Sequence, residues 1–327
     1  MQGPTRRSLV AGAVALVSFL ALLSACGGDD GSEASGVAPT TVLATRPPGS
    51  GGCPDEMPSV RDVPYAEVDA HQRLDVYPAS HGCPAPVVVW VHGGGWQRGD
   101  KGNQMIDKVR LWNEAGYTVV SVNYRLTDQN AAQNAAQTTA EPVRFPTHDE
   151  DVATAVAWVH DHIADYGGDP ERIALLGHSA GAQIAASVAT DPTYLGAHGL
   201  GLDVLRCAGA LDTEAYDVAT TARTGNAIYR AAFGDDPATW AAASPIEHVT
   251  AGSGIPRFLV VERGTPRRRR AAEAFVARLR DAGVPVTVVD AGSLTHAEVN
   301  SAVGRSGDSV VTPPLEMFLA ECLAATP

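Results

Sequence analysis

Three short stretches of this chain hold residue types and spacings suited to nucleophilic catalysis. Gly177-His178-Ser179-Ala180-Gly181 follows the apolar run 173–176 and precedes the helix-like run 182–189. A serine flanked by glycines two residues to either side, between a strand and a helix, can sit on a sharp turn that lifts its hydroxyl clear of a sheet. The same turn puts Ser179 at a helix N-terminus, where free N–H groups and the positive dipole end favour developing negative charge. His92-Gly93-Gly94-Gly95-Trp96 directly follows another apolar strand candidate. Its glycines let backbone N–H groups approach a substrate oxygen, and with the amide of Ala180 they could form an oxyanion hole worth about 3 to 4 kcal/mol per donor. A phosphate-binding loop is the competing reading of those glycines, but the nearest lysine, Lys101, is displaced from the position that reading needs. A serine hydroxyl also needs a base, and the chain has ten histidines from which to draw one. His160 and His162 are two apart on a helix candidate and face away from each other, which makes a poor metal pair.

The elements that must position these residues alternate short β-branched runs with longer amphipathic stretches, the pattern of a parallel α/β sheet. Strands are expected at 65–68, 73–77, 86–91, 117–123, 172–176, 204–211, 257–261 and 286–289, and helices at 103–115, 149–165, 179–190, 267–282 and 313–325. The uninterrupted Val87-Val88-Val89-Trp90-Val91 reads as a strand covered on both faces. Two stretches break the rhythm, 127–147 and 212–245, and both are lid candidates because insertions beyond the carboxyl ends of the strands shape a pocket.

The N-terminus is expected to be removed. Arg6 and Arg7 precede an uncharged apolar run at 9–23, too short to span a bilayer permanently, so it reads as the core of an export signal over residues 1–25. Thr5-Arg6-Arg7-Ser8-Leu9 resembles a twin-arginine signal, and Leu23-Ser24-Ala25-Cys26 resembles the bacterial lipobox, in which Cys26 would be diacylated. The expected location is therefore the outer face of the bacterial cell membrane. Residues 26–52 are small and polar and read as a flexible tether with a reach of about 30 Å.

The whole chain has 327 residues, 45% of them hydrophobic, with 24 Lys and Arg against 37 Asp and Glu. Loss of the signal leaves 22 basic residues and a charge of −15, so the membrane anchor must be lipid, and a nucleic-acid partner is disfavoured. After Cys26, four cysteines remain in an exported body, which favours disulfides; Cys53 with Cys83 and Cys207 with Cys322 is the preferred pairing.

HGGGW, the run from Tyr166 to Arg172 and GHSAG together resemble the α/β-hydrolase superfamily, in its carboxylesterase and hormone-sensitive-lipase-like branch. Ser244-Pro245-Ile246 and the loop around His296 extend the likeness to feruloyl-esterase-like and kynurenine-formamidase-like relatives. The resemblance covers about residues 65–325. It implies a three-layer fold, a mostly parallel eight-stranded sheet with helices on both faces, over the domain 53–327. It also implies Ser179 as nucleophile, His296 as general base and then acid, and Gly94, Gly95 and Ala180 as oxyanion donors, with no metal or organic cofactor. His296 is selected because hydrolases of this fold run serine, acid, histidine along the chain.

One position departs from that pattern. Where relatives carry an aspartate after the seventh strand, this chain has Thr265, which cannot hold the histidine tautomer as a carboxylate does. Glu262, ending that strand, is the first choice for the acid; Asp212, ending the sixth, is the runner-up, and Asp290 comes third. Arg267, Arg268, Arg269 and Arg270 open the next helix against its dipole, and two readings are open: a solvated helix face paired with the acidic body, or a rim that attracts an anionic substrate or lipid headgroup. The expected activity is hydrolysis of small or medium carboxylic esters. An amidase or formamidase on the same machinery, and a catalytically impaired fold acting as a binding lipoprotein, stay open.

Overall fold

A computed structural model of the chain describes Met57 and residues 59–128 and 142–324. Its strands are β1 (Val60–Pro64), β2 (Arg73–Tyr77), β3 (Ala85–Val91), β4 (Thr118–Val122), β5 (Gly168–His178), β6 (Leu205–Leu211), β7 (Arg257–Glu262) and β8 (Val286–Asp290). They form one sheet in the order β1-β2-β4-β3-β5-β6-β7-β8. Only the β1/β2 and β2/β4 pairs are antiparallel. The β-rich runs read from sequence therefore become a mostly parallel sheet with parallel neighbours from β4 across to β8.

The first strand lies five residues earlier than expected, at Val60–Pro64 and not 65–68. Its alternation is hidden because Asp62, at φ 57°, breaks the register between Val60 and Val63. Tyr65 lies just past the strand, with its N–H on the carbonyl of Gln72 at 3.3 Å, and donates its hydroxyl to the carbonyl of Asn123 at 2.7 Å.

The helices are α1 (Met105–Glu114), α2 (Thr147–His162), α3 (Ala180–Thr190), α4 (Pro192–Gly196), α5 (Val218–Ala222), α6 (Ala227–Phe233), α7 (Pro237–Ala242), α8 (Pro245–His248), α9 (Pro266–Asp281), α10 (His296–Ala302) and α11 (Thr312–Cys322). Strand side chains alternate in direction, so the apolar run of β3 feeds two cores. Val87, Val89 and Val91 join a core with α2, α3 and α9 residues such as Val156, Ile184 and Phe275. Val88 and Trp90 join a second core with Trp112 of α1 and Leu315 of α11. Helices thus cover both faces, as a parallel sheet requires.

Cys207 of β6 and Cys322 of α11 form a disulfide that ties the last helix to the centre of the sheet. Residues 1–25, Cys26, the segment 26–52, Cys53 and residues 129–141 of the first interrupting stretch lie outside the described residues. Among the described residues, no helix is long and apolar enough to cross a membrane.

Candidate active site

Parallel pairing brings the candidate residues together at the carboxyl edge of the sheet. His178 ends β5 opposite Leu211 of β6, and Leu211 in turn lies opposite Val261 of β7. The pairing extends one residue further, with Ser179 N–H on the carbonyl of Leu211 at 3.0 Å and Asp212 N–H on that of Val261 at 3.0 Å. Ser179 and Asp212 are therefore lateral neighbours, although 33 positions separate them in sequence.

Ser179 caps α3 at φ 60° and ψ −116°, a backbone state that side chains disfavour. The glycines around it are needed for close approach. A Cβ on Gly177 would meet the carbonyl oxygen of Gly181 at 2.1 Å, and one on Gly181 would meet that of Val91 at 2.3 Å. The serine turn is thereby pressed against the end of β3 and the HGGGW loop. Ala180, as the first residue of α3, has an amide without an intrahelical acceptor.

His296 begins helix α10 and does not lie in a loop as expected. Thr295 caps that helix, and Thr295 and Glu298 form a reciprocal capping box. The spacing Thr295-x-x-Glu298 was the signal in the sequence that marked this helix start. His296 Nε2 lies 2.8 Å from Ser179 Oγ, and its Nδ1 lies 2.6 Å from Asp212 Oδ2. An unbroken chain of hydrogen bonds thus runs from the serine hydroxyl to a buried carboxylate.

The expectation that Glu262 would serve His296 is corrected. Glu262 is paired with Asp290 in the β7/β8 register and its carboxylate lies 3.2 Å from Arg269 Nη1. Asp290 is bound to the same arginine at 2.6 Å. Asp212 instead turns out of the strand direction at φ 53°, which aims its side chain at His296. Thr265 caps α9, accepting from Arg268 N–H at 3.4 Å.

The arginine run explains how Asp212 is held. Arg268 Nη2 donates to Asp212 Oδ1 at 2.8 Å and its Nη1 reaches Glu214 at 3.3 Å, while Arg263 Nε donates to Asp212 Oδ2. Arg267 donates to Thr221 Oγ1 at 2.8 Å. Of the cations that oppose the dipole of α9, Arg268 and Arg269 are therefore offset by acids at or just beyond the strand ends. Burial alone would raise the pKa of Asp212, but hydrogen bonds from His296 and Arg268 outweigh it and hold the carboxyl at about 2.

A folded pKa depressed from 3.8 to about 2 contributes on the order of 2 kcal/mol of stability above pH ~4, lost as pH falls towards 2. Urea unfolding of the wild type and Asp212→Asn should therefore show a stability gap at pH 6 that closes by about pH 2, where the protonated acid resembles the amide.

His178 joins the site through its ring. Its Nε2 lies 3.0 Å from the carbonyl of His296, so that nitrogen carries the proton, and the two rings are 4.6 Å apart. Burial, with the nearby His296, pushes His178 down to about 3, so it is neutral at ordinary pH. His178, Asp212 and His296 form the one group of potential metal ligands among the described residues. Asp212 and His296 already engage each other, Ser179 and two arginines, and His178 Nε2 engages the carbonyl of His296.

Two spaces open on Ser179. A cavity of about 150 Å³ is bordered by Gly95, Ala180, Glu214, Tyr229 and Arg268. A cleft of about 920 Å³ is bordered by Gly93, Gly94, Gln104, His296 and Asn300. The interrupting segment 212–245 builds α5 to α7 and the start of α8. Trp96 meets Tyr229 and Phe233 of α6 edge-on, with ring centroids 5.3 and 4.8 Å apart. Lys101 binds Asp62 at 2.7 Å and Asp75 at 2.9 Å, away from any phosphate-like role.

Comparison with known proteins agrees with this architecture. The BD-FAE family model matches residues 74–197. Esterase LipQ of Mycobacterium tuberculosis is 31% identical over 257 residues, 74% of this chain and 56% of that protein. Esterase LipC of the same organism is 30% identical over 67% of this chain and 53% of its own length. The chain therefore spans about half the length of these curated relatives. A solved truncated carbohydrate esterase from gut microbiota superposes with a TM-score of 0.66 at 17% identity, over 83% of this chain and 98% of that one, a likeness of fold. The strand order and the serine turn are those of the α/β-hydrolase fold, and the chain is similar in sequence to carboxylesterase-like proteins of that fold.

Proposed function

We propose that the protein is a serine hydrolase that cleaves carboxylic esters of small or medium size through an acyl-enzyme. The observation that carries this reading is the hydrogen-bonded chain Ser179 Oγ, His296 Nε2, His296 Nδ1, Asp212 Oδ2. Ser179 Oγ attacks the ester carbonyl carbon while its proton passes to His296 Nε2. The carbonyl oxygen takes the negative charge and meets the amides of Gly94, Gly95 and Ala180. As the tetrahedral intermediate collapses, the alkoxide leaves with the proton from Nε2. Water, deprotonated by the same nitrogen, then releases the acid and restores Ser179. Asp212 keeps the Nδ1 proton in place and balances the imidazolium, and the arginines keep Asp212 ionised.

The lipobox-like Cys26 supports a second part of the reading, an exported enzyme held at the membrane by a lipid on that cysteine. One experiment addresses both parts. A fluorophosphonate probe applied to cells producing the full chain should label a membrane-bound protein. Cys26→Ser should send the label to the soluble fraction, and the purified protein should turn over p-nitrophenyl acetate. Absence of labelling and turnover by folded protein would replace the esterase reading with a binding role; labelling that stays with the membrane in Cys26→Ser would remove the anchor.

A further inference from the structure

The proposed reaction leaves one buried ionisable side chain unused. Lys108 of α1 is fully buried, yet its ammonium lies next to the site. Nζ donates to the carbonyl of Asn300 at 2.8 Å and to that of Gln104 at 3.1 Å, and sits 4.9 Å from the ring centroid of Trp90. Trp90, Gln104 and Asn300 all border the larger cleft on Ser179. Burial drives the ammonium down to about 7 against the attraction of Asp107, so a lysine is a costly choice here for packing alone.

Asn300 lies in the last turn of α10, the helix whose first residue is His296. Carbonyls in a last helical turn lack intrahelical donors, and a cation there also meets the negative end of the dipole. A helix of seven residues is not stable by itself, so its direction depends on what holds its two ends. At the N-terminus, the capping box and His178 hold the main chain. At the C-terminus, Lys108 takes the carbonyl of Asn300 and Thr312 Oγ1 donates to that of Ala302 at 2.9 Å. A second tie runs beside the lysine, from Asn300 Nδ2 to Gln104 Oε1 at 2.8 Å.

We infer that Lys108 is a positioning residue: by clamping the C-terminal end of α10 to α1, it sets the seat of His296 against Ser179 and Asp212. This rests on the serine-hydrolase reading. The clamp fits the ammonium to two main-chain acceptors and an aromatic face, an arrangement specific to a cation on a long stem.

The test compares the full-length wild type with Lys108→Met, Lys108→Arg and Thr312→Val. Readouts are the fluorophosphonate reaction rate, kcat and KM for p-nitrophenyl acetate, thermal midpoint, and the low-field NMR resonance of the His296 Nδ1 proton. Lys108→Met should lower kcat and the labelling rate about tenfold with KM within about twofold, because small misplacements of a reacting group are costly. Its Nδ1 proton signal should weaken, and Lys108→Arg, which keeps a cationic donor, should recover most of the loss. Thr312→Val, nearly the same shape, should lower kcat about threefold by freeing the same helix end. Folded Lys108→Met with wild-type kcat and an unchanged proton signal would overturn the inference, as would a change confined to KM or to the thermal midpoint. If Lys108→Met does not fold, Thr312→Val decides: wild-type kcat overturns the clamp, a fall with unchanged KM supports it. Failure of the hydrolase reading would look different, since the wild type itself would not be labelled.

Discussion

Replacing Ser179 by Ala is expected to lower kcat for p-nitrophenyl acetate by about 10⁶ and to abolish fluorophosphonate labelling, with the fold intact. The side chain is small and its neighbours are held by main-chain bonds, so the β5 and α3 framework does not depend on the hydroxyl. His296→Ala should cost a similar factor, because Nε2 is the only group hydrogen-bonded to Ser179 Oγ among the described residues. The double variant should be no slower than either single one. Groups that act as one unit are lost together, and the residual rate comes from substrate binding and the oxyanion amides. Steady-state kinetics of the three variants checks this. Additive losses would mean that Ser179 and His296 act separately, against the hydrogen bond between them.

Asp212→Asn is expected to lower kcat about 10⁴-fold, while Glu262→Gln changes it by less than about threefold. Asn at 212 would present either an amide N–H or a carbonyl oxygen to Nδ1, and the arginines compete for the oxygen. His296 would then carry its proton on the wrong nitrogen, facing Ser179. Glu262 lies in the same row of the sheet but is committed to Arg269, so its amide leaves the histidine untouched. A pair of kcat measurements on p-nitrophenyl acetate decides the matter. A large loss in Glu262→Gln with little in Asp212→Asn would restore the original sequence expectation and remove the role of Asp212.

The arginine pair makes Asp212 an unusual support for a histidine. Both its oxygens face a guanidinium, so the carboxylate is fixed in direction and remains ionised far into acid. A run of four arginines, costly at a helix N-terminus, thereby acquires a structural reason. Arg268 and Arg269 bind acids at the carboxyl edge of the sheet, Arg268 reaching Asp212, while Arg267 binds a threonine of α5.

Sequence alone determined what depends on local spacing. The serine turn was legible because close main-chain approach requires glycine two residues to either side, and the central strands because burial on two faces requires continuous apolar runs, whereas the edge strand β1 was not. The capping box that starts α10 was equally local and was missed. What spacing could not supply was the acid. Asp212, Glu262 and Asp290 each stand at the end of a strand, and along the chain they are equivalent. Only the tertiary structure separates them. Parallel register sets all three in one row, a positive φ turns Asp212 towards His296, and Arg269 draws Glu262 and Asp290 away. Those are contacts between residues up to 84 positions apart, and a carboxylate becomes the partner of a histidine through direction and competing charge, neither of which its place in the chain encodes.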